Sequence, residues 1–207
     1  MENNLDRKNV LGWFSVFEQA IEDYHVNDNV DQPINNPFDE GELANLLYHK
    51  CWIDTVQWHL EDIVRDPDIA ADYGMEIKRR IDRSNQKRTD MVERLDDEFI
   101  RTLDLPVKQP ASASLNTESL AWAIDRLSIL ALKIYHMNVE VKRSDKTSML
   151  TAKYDLLLTQ KEDLISSIAQ LMEDVVAGKR YYKVYRQVKM YNDPSLNPVL
   201  YAKSPKS

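Results

Sequence analysis

Apolar residues recur at spacings of three and four along most of the chain, the mark of helical faces rather than of strand alternation. Val10, Trp13, Phe14, Phe17, Ile21 and Tyr24 form one such stripe and predict a helix over 9–26. A polar stretch with Pro33 and Pro37 follows, and Asp39-x-x-Glu42 resembles a capping box opening a second helix over 40–66. Its stripe runs through Ile53, Val56, Leu60 and Ile63, and Pro67 should stop it, because the residue before a proline avoids helical geometry. Ile77, Ile81, Val92, Leu95 and Phe99 predict a third helix over 75–103, closed by Pro106 and Pro110. Asn116 is the expected N-cap of a fourth over 117–143, through Leu120, Ile124, Leu127, Ala131 and Ile134. After a turn at Ser144–Ser148, a fifth over 149–177 carries Leu157, Leu164, Ile168, Leu171 and Val175. It ends at Gly178, where a left-handed cap belongs. Within segment 179–207, Tyr182–Tyr191 fits an alternation almost as well as a helix, and the segment predicts no element.

Long helices joined by short or proline-marked links imply an all-α fold: one domain, 1–207, an antiparallel bundle of about five helices with the C-terminal segment packed on it. Only four glycines occur in 207 residues, too far apart for a glycine-rich phosphate loop. The single cysteine, Cys51, excludes an internal disulfide and a cysteine-rich zinc site. Every apolar stretch meets a charge before the ~18 residues of a spanning helix, and the polar start lacks the features of a secretory signal. A cytoplasmic protein without membrane attachment is expected.

Charge is uneven. The chain carries −7 overall, but residues 178–207 hold seven Lys or Arg against one Asp, which leaves −13 on the first 177. An acidic body repels nucleic acid. The tail mixes Lys179, Arg180, Lys183, Arg186 and Lys189 with Tyr181, Tyr182, Tyr185 and Tyr191, a pattern that suits single-stranded nucleic acid but is better read as folding back onto the acidic body.

The helical pattern breaks in three places. The third helix's apolar seam should continue through 84, 85 and 88, where Ser84, Asn85 and Arg88 stand. The second has a further face of Leu47, Cys51, Asp54, Trp58, Asp62 and Arg65, with Glu61 adjoining and His59 at its edge. A helix apolar on two faces is central, so these acids should be partly buried, with Arg88 as natural partner. The fourth adds Arg126, Ile129, Lys133, His136 and Glu140 at spacings of three and four.

Three readings of this cluster stay open: a structural ion-pair network, a binding site and a catalytic site. The binding site would use Trp58, His59, Glu61, Asp62, Arg65, Asp82, Asn85, Arg88, Arg126 and Lys133 on an anionic small molecule or a partner protein. The enzyme would use His59 or His136 for proton transfer, oriented by Asp62, Asp82 or Asp125, on a phosphorylated sugar or nucleotide-sugar. No cofactor and no metal is expected. Glu22 and His25 make one Glu-x-x-His pair where a di-iron bundle needs two, and His59-x-Glu61 lacks the zinc-helix repeat. Each of the four histidines follows an aromatic residue and reads as a hydrogen-bonded boundary residue. Self-association is left open.

Four blocks carry a resemblance: residues 47–62 (Leu47 to Asp62), 78–90 (Lys78 to Asp90), Asn116–Ser119 with Ile124–Leu130, and Lys189–Asp193 with Asn197-Pro198. In that order they resemble the bacterial family catalogued as domain of unknown function 4254. The resemblance implies soluble helical proteins, some associated with genes for glycosyltransferases and envelope polysaccharide, with no established activity to transfer. It also implies an ordered tail, and its blocks coincide with the polar interruptions.

Overall fold

A computed structural model describes residues 6–102, 111–143, 147–187 and 193–202. The expected proline stops at 106 and 110, most of the Ser144–Ser148 turn and block residues 189–192 lie outside them. Among the described residues the chain is an all-α bundle: α1 (Arg7–His25), α2 (Leu43–Val64), α3 (Ala71–Thr102), α4 (Leu120–Arg143), α5 (Thr147–Val176) and a single-turn α6 (Pro198–Tyr201). Two short strands, β1 (Ser114–Leu115) and β2 (Arg180–Tyr181), pair in parallel and tie the segment after α5 to the one before α4.

The helices start and stop for identifiable reasons. Asp6 caps α1 by accepting the amide N–H groups of Lys8 and Asn9, and the Asn9 side chain returns the bond to the Asp6 amide. The expected box at Asp39 and Glu42 does not form: α2 begins at Leu43 with Glu42 as an N-cap that makes no side-chain bond. Gly41 at φ +93° turns the backbone out of helical geometry between the two acids. Nor does Asn116 cap α4. Its side chain donates to the Glu118 carbonyl, and Ser119 and the buried Asp96 of α3 satisfy the helix start instead, the Asp96 carboxylate accepting the Ser119 hydroxyl (2.8 Å) and the Ala121 amide (3.4 Å). Gly178, at φ +68°, ends α5 as expected.

Most of the core is one continuous cluster. Trp13, Phe14, Phe17 and Tyr24 of α1 meet Leu47, Tyr48 and Trp52 of α2, Leu95 and Phe99 of α3, Leu127 and Ile134 of α4, and Ile168 and Met172 of α5. Helix α2 packs against α1, α3 and α4, which makes it central. Leu60, Ile77 and Ile81 form a smaller apolar cluster at the far end of the α2–α3 contact. The tail does fold back: Arg186 pairs with Glu93 and Asp97 of α3, and Arg180 with Asp174. No described helix is long and apolar enough to cross a membrane.

Candidate functional site

Two polar clusters sit within the bundle, both anchored on α2. The first joins Lys50 and Asp54 of α2, Arg88 of α3, and Asp125 and Ser128 of α4. Lys50 is completely buried, bonded to Asp54 one turn on and to Asp125 Oδ1 at 2.7 Å. Arg88 donates Nε to Asp54 Oδ1 at 2.7 Å and Nη2 to Asp125 at 3.1 Å, while the Ser128 hydroxyl donates to Asp54 Oδ2 at 2.7 Å. Two cations face two carboxylates, so the cluster is neutral. Burial alone would raise the Asp125 carboxyl, but Lys50 and Arg88 outweigh it and hold it below the usual carboxylate range.

The residues singled out from sequence distribute around this network unevenly. Trp58, Glu61, Asp62, Arg65 and Arg88 line a cleft of about 360 Å³ with Asp54 and Gln57. Arg65 is committed to Glu61 at 3.1 Å and Arg126 to Glu118 at 2.8 Å. Arg126 and Lys133 line a neighbouring cleft of about 570 Å³ between α4 and α5 with Asp125. Asp62, Asp82 and Asn85 are exposed, contrary to the expected convergence. Asp82 pairs with Lys78 along α3, and Asn85 accepts from Gln57 at 2.9 Å. The seam passes through Ser84 and Arg88, and a turn of about 100° per residue carries position 85 off it. Lys50 was missed. Its signal is the i, i+4 pair with Asp54 on a doubly apolar helix.

The second cluster is a set of three imidazoles. His25 ends α1, His59 lies on α2 and His136 on α4, and one ring nitrogen from each lies within 4.8 Å of those of the other two. Aromatic rings hold them. Trp58 stacks flat on His136 at 4.7 Å, Tyr24 stacks on His59 at 5.0 Å, and Tyr135 lies 4.3 Å from His25. The Nδ1 of His25 is 2.6 Å from the Ile21 carbonyl, which can only accept, so the proton of the neutral ring sits there and Nε2 presents a lone pair. That Nε2 lies 3.2 Å from Nε2 of His59. The Nε2 of His136 is buried with no hydrogen-bond partner among the described residues. Burial pushes His136 down to about 4, with His25 and His59 adding to the shift, and burial also lowers His59. Asp28, more than half exposed, lies 3.7 Å from Nε2 of His59.

Thus His59 and His136 come together, but with His25 rather than with Arg88. The expectation of no metal site rests on spacing within single helices, whereas here each imidazole comes from a different one. Cys51 is buried and its thiol is pushed up to about 12 by burial, which leaves it no nucleophilic role.

Residues 44–184 match the family model described as a protein of unknown function, DUF4254. The chain belongs to that family. The matched span contains the whole ion-pair network together with His59 and His136, and His25 precedes it. No curated protein and no solved structure matches the chain.

Proposed function

We propose that this protein binds a divalent transition-metal ion of the zinc class on His25, His59 and His136. The observation that carries the reading is the convergence of three imidazoles from three helices, one ring nitrogen of each within 4.8 Å of the others, with the Nε2 of His136 buried and unpartnered among the described residues. A buried polar atom without a partner costs about 1–3 kcal/mol; the Tyr24 and Tyr182 hydroxyls and Gln57 Oε1 are likewise unpartnered among the described residues, and of the four atoms only the His136 nitrogen belongs to a group of three imidazoles.

The chemistry fits the cation. Neutral imidazole suits zinc, copper, iron and nickel, and bonds of about 2.0–2.1 Å at tetrahedral angles set ligand nitrogens about 3.3 Å apart. The His25–His59 pair is at 3.2 Å, and a ring nitrogen of His136 lies within 4.8 Å of both. The Nδ1–H bond from His25 to Ile21 fixes that ring's tautomer and aim, as ligand histidines generally require. Three histidines leave the fourth position for water or for Asp28, whose carboxylate lies 3.7 Å from Nε2 of His59. His59 and His136 are then ligands rather than free proton carriers, and any hydrolytic chemistry would depend on that fourth position. The link to envelope polysaccharide rests on the family resemblance alone.

Isothermal titration of the metal-free protein with Zn²⁺ tests the reading. One equivalent should bind to the wild type, and His136→Ala or His25→Ala should weaken it by more than about 100-fold, about 2.8 kcal/mol. Equal uptake by wild type and by the variant lacking all three histidines would overturn it.

A further inference from the structure

A second site, independent of the metal reading, lies where α2 packs against α3. The segment after α1, the outer face of α2 and the face of α3 carrying Arg80, Arg83 and Lys87 enclose a groove of about 400 Å³. The three cations fall at i, i+3 and i+7, so they form one rail along α3. No carboxylate lines the groove. Arg80 is committed, donating to Asp31 at 2.6 Å and to the Val30 carbonyl, and so pins the post-α1 segment as one wall. Arg83 and Lys87 are exposed and make no ion pair among the described residues. Beneath the rail, Trp52, Val56 and Leu60 supply an apolar wall.

This arrangement contrasts with the Arg88 cleft. There each arginine meets a carboxylate, and an incoming anion would have to displace one. In the groove, two cations wait beside low-dielectric walls on a chain whose net charge is −7, and such a local excess focuses a positive potential. His49 lines the same groove. Burial, with Arg94 and Lys87 nearby, lowers its proton affinity, so it offers a neutral N–H donor rather than a further charge.

We infer that the α2–α3 groove binds a phosphate ester bearing a planar or apolar group, with Arg83 and Lys87 on the phosphate and the Trp52–Val56–Leu60 wall against the remainder. The arginine fork and the lysine point charge are the usual partners of phosphate oxygens, and the wall demands more than a bare anion. The anion recognition expected from sequence thus moves from Arg88 to the next exposed cations on either side of the Ser84 position.

The test is titration calorimetry with ADP, adenosine and inorganic phosphate, all in EDTA so that no metal mediates binding. ADP should bind more tightly than phosphate, adenosine should not bind, and affinity should fall as salt rises. The double variant Arg83→Gln/Lys87→Gln, at exposed positions that leave the core intact, should lose at least tenfold for ADP and flatten the salt dependence. A His59→Ala/His136→Ala variant should keep ADP binding, which separates failure here from failure of the metal reading. ADP binding equal in wild type and Arg83→Gln/Lys87→Gln would overturn the proposal. So would saturable binding of poly-glutamate with no binding of ADP, which would make the groove a contact for an acidic protein.

Discussion

The two polar clusters on α2 differ in one respect that decides their roles. Around Lys50, Asp54, Arg88 and Asp125 each charge meets its opposite, and Ser128 fills a remaining acceptor on Asp54. Around His25, His59 and His136 the rings are equally well packed, yet a ring nitrogen is left buried and unmatched. A satisfied buried network fixes how α2, α3 and α4 meet and has no capacity left for a ligand. The imidazole cluster has that capacity. Polar burial by itself therefore does not locate function in this bundle; three converging imidazoles with a ring nitrogen left open distinguish the second cluster from the first.

The contrast is broken most severely by removing one carboxylate of the closed network. Asp54→Ala leaves Lys50 buried without its nearest partner and should cost about 3–5 kcal/mol in urea denaturation, while the folded protein still takes up Zn²⁺. If Asp54→Ala is as stable as wild type, the network does not hold the helices. On the other side, His136→Ala should abolish high-affinity zinc uptake, the loss of about 2.8 kcal/mol or more given above, without a comparable fall in the stability of the metal-free protein. Zinc at a hundredfold excess over its dissociation constant should add about 2.7 kcal/mol to wild-type stability, reversed by EDTA and absent in the same variant. Unchanged melting with and without Zn²⁺ would remove the distinction between the clusters.

Acid sharpens the comparison by a smaller amount. Asp125 has a folded-state proton affinity depressed below its unfolded one, so its contribution is full above the unfolded value near 3.8 and is lost as pH falls through the lower folded value. Asp125→Asn should therefore be less stable than wild type at pH 7, and the gap should narrow below about pH 4. A gap independent of pH would mean that the Asp125 charge does not contribute.

Much of the fold was legible because one period dominates. The stripes through Val10–Tyr24 and Leu120–Ile134 are buried in the structure, and Gly178 ends α5 where its freedom at positive φ is needed. The caps at Asp39 and Asn116 were not, because Gly41 turns the chain before α2 and Asp96 serves α4 from across the bundle, contacts that no local motif encodes. The site was half legible. Polar interruptions on α2, α3 and α4 pointed to Arg88, and burial and pairing supplied Lys50 and Ser128. The imidazole cluster left no local signal: His25, His59 and His136 stand 34 and 77 residues apart in sequence, and only the packing of α1, α2 and α4 sets their ring nitrogens side by side.

The optical spectrum of the Co²⁺-loaded protein tests that contrast most directly. Ligation by three imidazoles predicts intense visible d–d bands of a four- or five-coordinate ion at one cobalt per chain, retained in Arg88→Lys and lost in His25→Ala, His59→Ala and His136→Ala. A spectrum indistinguishable from hexa-aqua cobalt in the folded wild type would contradict the account.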